Sequence, residues 1–160
     1  MNAIVAVDEA WGIGQKGELL ARISADLRRF KALTTGHAVI LGRKTLQTFP
    51  GGRPLPGRDN LIMSTTMSSA PEGARVFRNL EELLSYAPKD AFVIGGESVY
   101  RALLPDCDRV YVTKIHSAFE ADAFFPDLDA LGGWRIVAEE GPLTENGLGF
   151  SYVTYEREGD

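Results

Sequence analysis

Two short runs, HAVILG (37–42) and AFVIGG (91–96), are apolar without the alternation of a half-wet strand. Uninterrupted apolar character belongs to strands covered on both faces, as in the centre of a parallel sheet. Six further β-rich runs accompany them: AIVAVD (3–8), NLIMST (60–65), ARVF (74–77), RVYVTKIH (109–116), WRIVAEE (134–140) and FSYVTYERE (150–158). Helical patterns lie between the earlier runs at 24–34, 43–49, 79–87 and 97–104, with Asn79 as a cap and Pro88 and Pro105 beyond the ends of the last two. Strands alternating with helices predict crossover units. The expected fold is α/β, an eight-stranded, mostly parallel twisted sheet with about four flanking helices. The last two runs alternate more and enclose a loop at 141–149 that holds Gly141, Pro142, Gly147 and Gly149. They predict an antiparallel hairpin finishing one edge.

A length of 160 residues predicts one domain, 1–160, with a core that needs no covalent staple. The net charge of -5 argues against non-specific nucleic-acid binding. No apolar run reaches the ~18 residues of a membrane span. The N-terminal NAIVAV is strand-length and lacks a basic n-region, so it does not read as a signal peptide. The single cysteine, Cys107, fits a reducing, cytoplasmic setting. His37 and His116 are far apart, and no metal cluster is expected.

Several stretches carry candidate chemistry. GIGQKG (12–17) spells a dinucleotide fingerprint, but its glycines do not open a helix, and the next strand ends at Gly42 without an acid. It reads instead as a mobile loop within the irregular stretch 9–23. VIGGESVYRALLP (93–105) places Gly95-Gly96 between a buried strand and a helix start, where backbone can approach an anionic ligand or simply make a turn. LGRKT (41–45) sets Arg43 and Lys44 at another helix start, against the dipole, which a polyanionic ligand explains. It is no P-loop, because His37 stands at the first glycine position. Ser64 and Thr65 close a third strand and Arg78 follows a fourth, so phosphate-friendly groups collect at strand ends, where α/β sheets bind ligands.

In ISADLRRFK (23–31) an acid breaks the pattern. At about 100° per residue, Asp26 falls inside the apolar arc of Ile23, Leu27, Phe30 and Leu33. Ser24 is the expected N-cap, and an acid in the first turn suits the helix dipole. That local reading stands beside a functional one, a carboxylate turned toward a ligand.

In order and spacing, ADLRRFK, GRKT, GRPLPGR, VIGGESVY, VYVTKI and EADAFFP resemble the bacterial dihydrofolate reductase family, and the likeness runs over essentially the whole chain. The resemblance implies the eight-stranded fold and NADPH-dependent reduction of dihydrofolate, with hydride transfer to pterin C6 and protonation at N5. It places Asp26 in the pterin pocket, hydrogen-bonded to N3 and the 2-amino group and supported by Thr113. Ile4, Val5, Ala6, Leu27, Phe30 and Ile94 line that pocket, and Phe49 and Leu55 flank the aminobenzoyl group. Arg58 pairs with the glutamate tail, a task suited to a bidentate guanidinium. Asp26, Thr113, Tyr100 and Leu19 form its catalytic set. For NADPH it implies Gly95 and Gly96 joined by a cis peptide, with Glu97, Ser98 and Val99 at the pyrophosphate and Thr45 near it. Arg43, Lys44, Ser64, Thr65 and Arg78 surround the 2′-phosphate. Ala6, Ile13 and Tyr100 flank the nicotinamide, and Gly14, Gly42 and Ile94 complete the cofactor set.

Two departures stand out. Members often carry Pro-Trp where this chain has Leu20-Ala21, which bears on an active-site water and on antifolate affinity. Many bacterial members have glycine at the position of Ala121. The resemblance further implies a monomer that takes dihydrofolate and antifolates as its small-molecule partners, without nucleic acid or membrane. Two rival readings are a pyrimidine reductase of riboflavin synthesis, which shares the fold, and a non-catalytic nucleotide-binding module. The inward acid and Arg58 distinguish this chain from the first, and the whole pterin constellation from the second.

Overall fold

In the computed structural model, which describes residues 1–159, the chain builds an eight-stranded sheet in the order β5-β4-β3-β6-β1-β7-β10-β9. The strands are β1 Asn2–Val7, β3 Ala38–Gly42, β4 Asp59–Met63, β5 Ala74–Phe77, β6 Phe92–Gly95, β7 Arg109–Ile115, β9 Trp134–Glu145 and β10 Leu148–Arg157. Pairing is parallel from β5 through β7, and β10 runs antiparallel to both β7 and β9. The opposed strand is therefore one in from the edge, and β9 forms the edge itself. The central strands are as dry as their apolar runs predict: Val39, Ile40 and Leu41 on β3 and Val93 on β6 are fully buried.

Five α-helices occur among the described residues: α1 Ser24–Thr34, α2 Arg43–Gln47, α3 Leu80–Tyr86, α4 Glu97–Leu103 and the single turn α5 Leu128–Leu131. The first four match the helical patterns. Asn79 caps α3 as expected, its side chain accepting from the Glu82 N–H over 2.9 Å.

Three local expectations need correction. Ser24 is not the N-cap of α1. Ile23 holds that place in extended conformation, and Ser24 is the first helical residue. The cap comes from elsewhere: the Glu145 carboxylate accepts from the N–H of Ser24 (2.6 Å) and of Ala25 (3.1 Å). The 141–149 stretch is mostly strand rather than loop, because β9 reaches Glu145 and β10 starts at Leu148. Register shifts in the ladder absorb Gly141-Pro142, so a proline does not end this edge strand. The 9–23 stretch also carries a small sheet of its own, β2 Gly12–Gly14 paired with β8 Ala123–Phe124.

That small sheet is fastened by buried acid. The Asp8 carboxylate accepts from the N–H groups of Ala10, Gly12 and Phe119 at 2.8–3.0 Å, joining both segments. A Cβ on Gly12 would come within 2.7 Å of the Ala121 Cβ, so Ala121 is accommodated because residue 12 has no side chain. Trp11 points into the largest apolar cluster, stacked on Phe125 and edge-on to Tyr155, and so does not replace the missing tryptophan at Ala21. No helix among the described residues is long and apolar enough to cross a membrane.

Candidate active site

The carboxyl ends of adjacent parallel strands set the site. β1 lies between β6 and β7, which puts Ala6 directly beside Thr113 in the ladder. The first helix crosses this end of the sheet, and its Asp26 meets β7 there. The Thr113 hydroxyl, almost wholly buried, donates to Asp26 Oδ1 over 2.5 Å. Burial pushes the Asp26 carboxyl above its ordinary range, while the Thr113 hydrogen bond and the Arg29 charge draw it partly back. A half-buried acid with a raised pKa, held by one hydroxyl, retains acceptor positions for a ligand amine.

Around this acid the structure gathers Ile4 and Ala6 on β1 and Phe30 one turn along α1, whereas Val5, between them on the strand, turns its side chain to the opposite face, into the cluster with Val112 and Tyr100. Leu27 stands beside them but is 41% exposed. Phe30, Phe49, Leu55 and Ile94 pack partly buried against the apolar cluster that contains Ile4, leaving their outer faces open along one wall. Arg58 sits past that wall. Its Nε donates to the Pro56 carbonyl (2.8 Å) and its Nη1 to the Thr34 hydroxyl (3.3 Å), which in turn donates to the Phe30 carbonyl. The fork is thus steered from the last turn of α1. Leu19 is 51% exposed on the loop before the helix.

On the other side of β1 lies a second constellation. Gly95 and Gly96 are joined by a cis peptide. A Cβ on either would stand 3.5–3.6 Å from the Thr45 hydroxyl, so backbone lies bare beside it. No side chain caps α4, and the N–H groups of Glu97, Ser98 and Val99 open its first turn. Tyr100, buried, donates its hydroxyl to the Ile4 carbonyl over 2.7 Å and thereby ties α4 to β1. Arg43 and Lys44 follow β3, Ser64 and Thr65 follow β4, and Arg78 follows β5, all at the same sheet edge. The Ser64 hydroxyl is turned into its own loop, where it accepts from the Thr66 and Met67 N–H groups. Ile13 on β2 packs against the cluster that holds Val99 and Tyr100, Gly14 lies instead beside Glu18 and Ala123, and Gly42 packs so close to Val99 that a Cβ there would lie 3.2 Å from it.

The sequence profile of dihydrofolate reductase matches residues 1–157. The chain belongs to the dihydrofolate reductase family. Among its relatives, the dihydrofolate reductase of Bacillus subtilis is 38% identical over 161 residues, covering 98% of this chain and 94% of that one. That of Drosophila melanogaster is 36% identical over 178 residues, covering 98% and 97%. The structure of a dihydrofolate reductase from Enterococcus faecalis complexed with NADP(H) and RAB-propyl superposes with a TM-score of 0.87. Its sequence is 37% identical, and the match covers 99% of this chain and 96% of that one.

Two features of this family member escape a reading of the sequence. One is the Glu145 cap on α1. The other is Arg29, whose guanidinium lies 4.1 Å from the ring centre of Tyr152. Both partners come from the far end of the chain, and no local spacing announces either.

Proposed function

We propose that this chain reduces 7,8-dihydrofolate to 5,6,7,8-tetrahydrofolate with NADPH as the reductant. The observation that carries the reading is Asp26, a carboxylate on an otherwise apolar wall, fastened to Thr113 across β1 from the Gly95-Gly96 backbone.

The residues present fit the cofactor. Bare glycine backbone beside Thr45 suits the pyrophosphate, and Arg43, Lys44 and Arg78 supply the positive charge that an adenosine 2′-phosphate needs. When bound, NADPH supplies a hydride to pterin C6. In this reading Asp26 accepts hydrogen bonds from pterin N3 and the 2-amino group, and Thr113 holds it at the angle for both. Phe30 packs on the rings, Phe49 and Leu55 flank the aminobenzoyl group, and Arg58 pairs with the glutamate tail. Holding two rings face to face is chiefly a positioning task. The proton for N5 arrives through water admitted by the 9–23 loop, with Asp26 polarising the pterin rather than delivering it. Tyr100 and Ile13 flank the nicotinamide, and Leu19 closes over the site from the loop.

We read residues 1–160 as one domain and a cytoplasmic monomer with small-molecule partners only, antifolates included. One eight-stranded sheet that draws its strands from Asn2 to Arg157, one buried cysteine and the net charge of -5 support this. Light scattering behind size exclusion checks the monomer. Activity is tested by following NADPH absorbance with dihydrofolate, then with the riboflavin-pathway pyrimidine. Turnover with dihydrofolate alone is expected, and its absence overturns the assignment.

A further inference from the structure

Arg29 follows Asp26 by three residues on α1, which makes the two side chains neighbours on the helix surface. The sheet beneath them presents three side chains on one face. Tyr111 and Thr113 are two apart on β7, and Tyr152 on β10 lies opposite Thr113 in register. Thr113 takes Asp26. The two tyrosines take Arg29, whose guanidinium carbon is 4.1 Å from the centre of the Tyr152 ring and 5.9 Å from that of Tyr111. Each ring is itself braced, Tyr152 by Phe150 and Tyr111 by Phe92. Among the described residues, none of the ion pairs within 4.0 Å includes Arg29. The cation is therefore held on aromatic faces without being neutralised by a touching carboxylate.

We propose that Arg29 is a positioning residue for the reaction assigned above: clamped on Tyr152, it keeps a fixed positive charge beside the pterin-binding carboxylate and favours its ionised form. The proposal rests on the reading of Asp26 as that carboxylate. A contact is not required, because Coulomb attraction falls only with the inverse of distance and is weakly screened at a half-buried site. An aromatic platform restrains a guanidinium while leaving its charge intact.

The other groups facing Asp26 do not supply this charge. Tyr152 from β10 and Tyr100 from α4 are neutral phenols, each pushed further up, first by burial and then by nearby negative charge that includes Asp26. Tyr111 comes from β7 beside Thr113. Glu140 and Glu145 on β9 act on Tyr152, and their negative charge opposes a further carboxylate nearby. The charge of Arg28, the preceding residue, acts on Glu145. Burial raises Asp26, and of the surrounding cations it is Arg29 that lowers it.

The test is the Asp26 titration itself, read by carboxylate carbon NMR on the ligand-free protein, alongside the pH profile of kcat/KM. In Arg29→Met the midpoint moves up by about half a pH unit, a modest shift for a partly screened charge. The inflection of the activity profile moves with it. Arg29→Lys keeps the charge and returns both toward wild type. Arg29→Gln carries the same test should the methionine variant lose its fold, which thermal melting reads directly. An unmoved midpoint in the uncharged variants overturns the proposal, as does a lysine variant that shifts as far as methionine. The titration needs no substrate, so a failed dihydrofolate assay and a failed role for Arg29 are read separately.

Discussion

Thr113 on β7 donates its hydroxyl to Asp26 on α1 over 2.5 Å, across 87 residues of sequence. That bond joins the one acid on the apolar face of α1 to the strand beside β1, and it fixes where a ligand's amine can bind.

Asp26→Asn keeps an acceptor for Thr113 and removes the charge. Because Asp26 acts on the pterin through its charge, the pH profile of kcat/KM carries an inflection at the raised Asp26 pKa in wild type, and in the variant that inflection disappears. We expect kcat/KM to drop about 100-fold at neutral pH. Stability moves the other way. Burial lifts the folded-state pKa, so ionising Asp26 costs stability above the ordinary aspartate range and nothing well below it. The variant should melt higher at pH 7, by on the order of 2 °C, with the gap closing as pH falls below about 4.

The two cradle glycines should separate stability from binding. Gly95 has φ +130°, and a Cβ there would sit 3.4 Å from the Tyr100 ring, so Gly95→Ala is expected to cost about 1–3 kcal/mol in denaturant unfolding. A Cβ on Gly96 meets only the Thr45 hydroxyl, at 3.5 Å. Gly96→Ala should keep most of its stability yet weaken NADPH binding about tenfold or more, measured by fluorescence titration.

Arg58→Lys keeps a positive charge and loses the fork. KM for dihydrofolate should rise about tenfold with kcat little changed. A pteridine substrate without the glutamate tail should show no difference between the two proteins, and a difference there would count against the tail-binding role.

Glu145→Ala removes the cap that the β9–β10 hairpin lends to α1. Hydrogen exchange at the Ser24 and Ala25 amides should quicken and the melting temperature fall. The two N–H groups hold the Glu145 carboxyl below its ordinary range, so its contribution is present above that range and lost as pH falls through the lowered value. Wild type and variant should therefore melt alike well below pH 4.

Much of the architecture is written locally. The unalternating runs around Ile40 and Val93 mark central strands because a strand that faces no water has no need of polar residues. Asn79 marks a helix start and Pro105 the end of the α-helical run because each acts on its own neighbours. The inward direction of Asp26 follows from helical period alone. What the tertiary structure decided is what that acid meets. Thr113 reaches it through the register of β7, Arg29 is fixed by a ring on β10, and α1 is capped by Glu145 rather than by Ser24. These partners lie 87 to 123 residues away, and long-range register, not spacing along the chain, brings them together.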